Sequence, residues 1–165
     1  MDIINLRRSV REYTNEKITK EDLDKIVRAG MQAPSAMNQR PWRILVVTDE
    51  NKLQRLASLS KILERAKACI ILFYEQDKLT APEMVQCDMG ACTQNMLLEC
   101  VSLGLGACWI GMNERPKRHE VLHNVFRIPK NFIPFSIIAI GHPFNKEANY
   151  FLDRFEKEKV FYEEI

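Results

Sequence analysis

The chain lacks a long hydrophobic run, a strong excess of either charge and a pairable cysteine pattern, and each absence excludes a class of protein. The longest stretch free of formal charge, Asn131 to Asn145, has 15 residues and is interrupted by Pro134 and Pro143. A spanning helix needs about 20 consecutive apolar residues, so no membrane insertion is expected. Only Ile3, Ile4 and Leu6 stand before Arg7 and Arg8, too little for the apolar stretch of a secretory signal. The 24 Lys and Arg against 22 Asp and Glu leave a net charge of +2, far from the basic excess of a nucleic-acid binder. With 46% hydrophobic residues the chain is not disordered either. The five cysteines (Cys69, Cys87, Cys92, Cys100, Cys108) are odd in number, form no C-x-x-C pair and fit no zinc-ribbon spacing. Together with the absence of any Asn-x-Ser/Thr sequon, this reads as buried, apolar-like thiols in a cytoplasmic protein. No repeat, low-complexity tract or linker divides residues 1–165, so one domain is expected. A domain of this size buries roughly 70% of its unfolded surface and needs no metal or disulfide staple.

Periodicity supplies the elements. Asp2 to Arg8 can form a short helix, followed by a polar loop to Lys17. Thr19 caps a helix in which Leu23, Ile26, Val27 and Met31 recur at helical spacing, ending before Pro34. Arg43–Thr48 reads as a strand, and Asp49 caps a helix carrying Leu53, Leu56 and Ala57. Ala68–Tyr74 is apolar throughout and is expected at the centre of its sheet. Thr80 and Glu83 bracket Pro82 at the start of a helix that runs to about Leu103 and stops at Gly104. Its apolar residues cover almost the whole circumference, so it is buried within one domain or between two subunits. Ala107–Ile110 and Phe135–Gly141 are further strands, with Pro116–Phe126 a helix between them. The sum is a mixed domain with helices on a small sheet. The tail from His142 to Ile165 carries Tyr150, Phe151, Phe155, Phe161 and Tyr162, which either cross a second subunit or fold back on their own domain.

Several motifs bear on chemistry. Gly104-Leu-Gly106-Ala-Cys-Trp109 follows a helix, enters a strand and has Trp109 at the third glycine position, so it is no dinucleotide fingerprint; no P-loop occurs. His119-Glu120-Val-Leu-His123 matches H-E-x-x-H, which on a helix could hold zinc with Glu120 as general base. The short helix, its core face of Val121, Leu122, Val125 and Phe126, and the lack of a third ligand favour an ordinary polar face instead. Arg7-Arg8-Ser9-Val10-Arg11 places three guanidinium forks and a hydroxyl together, donors that match phosphate oxygens. Ala33 to Trp42 is a loop of small residues that would let its backbone approach a flat ligand, with Asn38 and Gln39 able to pair with a heterocycle's edge.

The order of these segments carries more than each alone. Arg7 to Tyr13, Ala33 to Trp42, Asp88-Met-Gly90-Ala91 with Gln94-Asn95, Leu103 to Gly111, Pro134 to Pro143 and Arg154 to Glu163 together resemble the nitroreductase family of flavin enzymes. The resemblance implies an α+β fold with a small mixed central sheet and surrounding helices, in a homodimer that exchanges tails and holds two FMN at its interface. By that likeness Arg7, Arg8, Ser9 and Arg11 hold the phosphate, ribityl chain and pyrimidine edge. Pro34, Ser35, Ala36 and Asn38 line the flavin from the other subunit, Ile110 and Gly111 approach its N5 edge, and Lys159 reaches the phosphate. Arg40 stands where a glutamine is usual, His142 where a tyrosine is frequent and Ile165 where a tryptophan is frequent. The implied reaction passes a hydride from NADH or NADPH through flavin N5 to a nitroaromatic, quinone or similar small acceptor in two half-reactions. The protein itself then needs no catalytic residue, because the cofactor carries the chemistry. A zinc hydrolase built on His119, Glu120 and His123, or a flavin-binding module without turnover, are the alternatives.

Overall fold

A computed structural model of the chain describes residues 2–112 and 115–164, so that Ile165 lies outside the described residues. Strand β2 (Ala68–Glu75) buries every side chain except the half-exposed Tyr74, as a strand apolar on both faces must when it lies between two layers. It pairs on one side with β1 (Trp42–Val47) and on the other with β4 (Phe132–Gly141), whose far edge carries β3 (Gly106–Gly111), in the order β1-β2-β4-β3. All these pairings are antiparallel, with Ile44 opposite Leu72, Ile70 opposite Ile138 and Cys108 opposite Ala139. The sheet expected to be mixed is thus antiparallel in all four strands, and the parallel contact from Ser9 to Ala107 is an isolated bridge outside them. The β2–β4 register slips between Leu72 and Phe73, where Phe73 faces Pro134, a residue with no N–H to donate.

Each face of the sheet carries a helical layer. On one, Ile70, Leu72, Ile138 and Ile140 pack against α2 (Lys20–Met31) and the long α5 (Val85–Ser102), through Leu23, Ile26, Met89, Cys92, Met96 and Cys100. On the other, Cys69, Ile71, Ile137 and Ala139 meet Leu53 of α3 (Glu50–Leu56), Leu63 of α4 (Lys61–Arg65) and Leu122 of α6 (Pro116–Val125). The expected caps are in place: Thr19 accepts from the Asp22 N–H at 3.1 Å and Asp49 from that of Lys52 at 2.9 Å. Helix α5 follows a 3-10 turn at Pro82–Met84 and ends at Gly104, whose φ of +72° suits glycine. Helix α4 has no counterpart in the sequence reading. It has only 5 residues, too few to display a helical period, although Ser60 caps it and Leu63 is fully buried.

Burial pushes the Cys69 and Cys92 thiols up to about 12 and raises that of Cys100, so these cysteines behave as small apolar residues; Cys87 alone is exposed. Helix α5 is not enclosed by its own chain: Ala91, Gln94, Asn95, Leu98 and Glu99 are only half-buried. Among the described residues no helix is long and apolar enough to cross a membrane. The tail starts against the domain, where Asn149 accepts from the Arg8 N–H at 3.3 Å and donates to the Leu105 carbonyl at 3.1 Å. Beyond it residues 150–164 are exposed, with Phe155 at 70% and Tyr162 at 82%. The tail still follows its own domain past Asn149, with Tyr150 under Arg8 and residues 151–155 beside Arg7 and Arg8.

Candidate functional site

The arginine segment is fixed along the open edge of β3. The Val10 N–H donates to the Ala107 carbonyl at 3.0 Å, and Val10 lies so close to Gly106 that a Cβ there would meet its Cγ1 at 2.6 Å. The buried Tyr13 hydroxyl donates toward the Val10 and Ala139 carbonyls, at 2.7 and 3.2 Å, tying the segment to the central strand β4. On its other side α1 (Ile3–Leu6), capped by Asp2, delivers Arg7 at its C-terminal end. The backbone therefore places Arg7, Arg8, Ser9 and Arg11 as a group. Arg11 donates to the Ser9 carbonyl at 3.1 Å and reaches the Cys108 thiol, which burial pushes up against the pull of Arg11 and Arg7.

The charge in this group is uncompensated. Arg7 has its pKa lowered, first by burial and then by the guanidiniums of Arg8 and Arg154. Arg8 donates from Nη1 to the Arg7 carbonyl at 2.7 Å and lies over the Tyr150 ring at 4.9 Å, yet its Nε and Nη2 are buried with no partner. Among the described residues none of Arg7, Arg8 and Arg154 forms an ion pair. These arginines line a cleft of about 290 Å³ with Ile4, Phe151 and Phe155. Asp153 also lines the cleft but pairs with none of them, so the three clustered cations keep a net positive charge that favours an anion, and their planar donors suit a phosphate. By the family resemblance Lys159 is the tail cation, and Arg154 opens the last segment of that resemblance. In the single chain Lys159 pairs with Glu156 at 2.5 Å, and Arg154 lines the cleft.

The loop from Ala33 to Trp42 is held in strain. Met37, Asn38 and Arg40 all have positive φ, between 44° and 53°, in the left-handed region that residues with a Cβ avoid. Such strain costs on the order of 1–3 kcal/mol per residue and persists only where neighbours over-determine it. Here the neighbour is Asp88, buried in the first turn of α5, which accepts from the Ala36 N–H at 2.9 Å and from Gln39 Nε2 at 2.6 Å. Gln39 Oε1 in turn accepts from the N–H groups of Thr80 and Ala81, both at 3.0 Å. Ser35 Oγ accepts from the Arg40 N–H at 3.0 Å. Gln39, expected at a ligand's edge, therefore faces the protein. Pro34 and Asn38 are exposed and Ser35 and Ala36 half-buried, leaving that wall open to a ligand.

At the far end of β3, Ile110 is buried and Gly111 exposed, its carbonyl accepting from Arg118 at 2.9 Å. Trp109 packs on Phe135, ring centroids 5.8 Å apart, above Gly90 of α5. The zinc reading of the H-E-x-x-H segment is not assembled. His119 Nε2 is engaged with the Met112 carbonyl at 2.8 Å, His123 is exposed, and no metal-binding group of three ligands occurs among the described residues. The strained loop is tied to the first turn of α5, whereas the Arg8 backbone is tied through Asn149 to Leu105, just past its last turn. An 18-residue helix is about 27 Å long, so in one chain the loop and the clustered arginines lie near opposite ends of α5.

Helices on both faces of an antiparallel sheet, with a cationic cleft along one sheet edge, define an α+β protein built to bind an anionic ligand. The description Nitroreductase family fits residues 4–63 and 57–142. A protein of Archaeoglobus fulgidus, provisionally named NADH dehydrogenase/NAD(P)H nitroreductase, is 33% identical over 97% of this chain and 95% of its own. The crystal structure of a provisional NADH oxidase from Clostridium acetobutylicum is 40% identical, with a TM-score of 0.94 over 99% of this chain and 100% of that one. That of a provisional nitroreductase from Desulfovibrio desulfuricans in complex with FMN is 29% identical, with a TM-score of 0.82 over 99% and 95%. The chain belongs to the nitroreductase family.

Proposed function

We propose that the chain is an FMN-dependent NAD(P)H oxidoreductase that acts as a homodimer. The observation that carries this reading is the set of guanidiniums without a counter-ion, above all the partnerless buried nitrogens of Arg8. The FMN phosphate brings close to two negative charges, which Arg7, Arg8 and Arg154 would neutralise. Arg11, with Ser9 beside it, would face the pyrimidine edge, where a cation favours the reduced, anionic form of the ring over the oxidised one. The backbone at Ile110 and Gly111 would lie beside N5. Pro34, Ser35, Ala36 and Asn38 of the partner subunit would close the opposite wall, because the chain's own loop is at the wrong end of α5. The half-buried face of α5 and the exposed aromatic residues of the tail are the apolar surface such a dimer would cover.

When bound, FMN supplies two-electron chemistry, accepting hydride from NADH or NADPH and passing electrons to an acceptor. The chain's residues hold it, orient it and bias its charge. The connection from β2 to α5 consists of two short 3-10 turns, Gln76–Lys78 and Pro82–Met84, which is too little for a lid. An open site of this kind suits loose choice among nitroaromatics, quinones and similar electron-poor acceptors, reduced in a ping-pong cycle. The purified protein is expected to be yellow, or to become so with added FMN, and anaerobic NADH or NADPH is expected to bleach it. A preparation that takes up no FMN contradicts the reading. One that binds FMN but is reduced by neither nucleotide is a flavin carrier and not an oxidoreductase.

A further inference from the structure

We propose that Asp88 is a positioning residue for the flavin wall, acting through Gln39 to hold residues 35–40 in the conformation that receives the ring. The inference rests on the flavin site proposed above, and it concerns side chains that touch no ligand. Asp88 is 4% exposed, yet both its carboxylate oxygens are engaged, Oδ1 by the Ala36 N–H and Oδ2 by Gln39 Nε2. A carboxylate can do this because it only accepts; the amide of the same shape must turn a donor toward one of the two partners. Gln39 is equally constrained. Its Nε2 also donates to the Ala81 carbonyl at 3.0 Å and its Oε1 receives two backbone N–H groups, so its amide cannot flip without reversing every bond. The two side chains form a rivet with fixed polarity between the loop, the turn at Thr80–Ala81 and the first turn of α5.

The conformation so fixed is one the loop would not keep by itself. Met37, Asn38 and Arg40 lie in the left-handed region, and Met37 is 83% exposed, so no burial of its own side chain holds it there. With the rivet in place the wall is ordered before the ligand arrives, and binding need not order it. With the rivet broken, the loop relaxes to ordinary φ values and part of the affinity is lost.

The polarity supplies the test. In Asp88→Asn, either orientation of the new amide sets a donor against a donor. In Gln39→Glu two carboxylates face each other across 2.6 Å. When the two substitutions are combined, the new amide at position 88 can again accept from the Ala36 N–H and donate to the new carboxylate at position 39. The other oxygen of that carboxylate still accepts from Thr80 and Ala81, and the one cost that remains is an oxygen–oxygen contact where Gln39 donated to the Ala81 carbonyl. Each single variant is expected to weaken FMN binding by about tenfold or more, measured by flavin fluorescence quenching, and the double to regain most of that loss. Hydrogen exchange of the Ala36 amide in the FMN-free protein gives a second readout, fast in each single variant and slow again in the double. Single variants with wild-type affinity and wild-type protection, or a double variant no better than the worse single, overturn the proposal. If the unmodified protein binds no FMN the flavin reading fails, and the exchange pattern alone decides whether the rivet holds the loop. Should Asp88→Asn not fold, Gln39→Glu and the double variant still decide the comparison.

Discussion

Replacing Arg7 with alanine lowers FMN affinity by roughly one to two orders of magnitude, the worth of one or two charge-assisted hydrogen bonds to phosphate. The same replacement leaves the FMN-free protein as stable as before, or more so. Arg7 there sits beside Arg8 and Arg154, which lower its pKa, and forms no ion pair with Asp153 of the same cleft, so its removal relieves repulsion. Opposite signs in the two measurements separate a ligand-holding arginine from one that merely supports the fold. Arg118→Ala is the control: its guanidinium serves one carbonyl, that of Gly111, and a few-fold loss is the most expected of it. Equal losses in the two variants contradict the assignment of the phosphate to the N-terminal cluster. Added salt weakens FMN binding in the unmodified protein as well, through screening of the same attraction.

The second large effect is removal of the tail after Asn149, which yields a monomer without FMN. Phe151, Phe155, Phe161 and Tyr162 are between 57% and 82% exposed on the single chain, a cost no tail bears in solvent without a surface to cover. Side chains of this size bury about 150–250 Å² each, so the set is worth on the order of 10 kcal/mol before the ordering of the tail is subtracted. Truncation also takes away Arg154 from the cleft it lines with Arg7 and Arg8, and Tyr150 from the face of Arg8. Sedimentation and flavin content check both losses together. A truncated chain that remains dimeric and yellow shows that the interface lies elsewhere.

Much of this can be read from the residues. Strand β2 is legible because it is apolar on both faces, and α2 because Leu23 and Ile26 repeat above an explicit cap. The arginine segment is a weak signal by itself, since arginines at a helix end are ordinarily solvated, and it stands out only in order with the other segments of the family resemblance. What cannot be read depends on long-range geometry. Helix α4 is shorter than one detectable period, and the start of β4 at Phe132 is hidden by Pro134, which reads as a strand boundary. Asp88 looks like one more charged residue on a helix until the fold sets it against Ala36 and Gln39. Gln39 itself reads as a ligand-facing amide, and only the closeness of Thr80 and Ala81 turns it inward. Lys159 and Arg154 are equivalent as letters, and the path of the tail past Arg7 separates them. The H-E-x-x-H letters, conversely, are legible, yet among the described residues they join no group of three metal ligands, and His119 engages the Met112 carbonyl.

The central claim is that each flavin site joins the arginines of one chain to the small-residue loop of another, and mixed dimers test it most directly. Arg7→Ala damages the phosphate end and Ala36→Trp fills the opposite wall, so each homodimer is expected to bind little FMN. After subunit exchange, a dimer with one chain of each kind contains one site in which both components are damaged and one in which both are intact. The account predicts recovery of one tightly bound FMN per mixed dimer. If both components of a site come from the same chain, every site in the mixture keeps one defect, and no recovery is seen at any ratio.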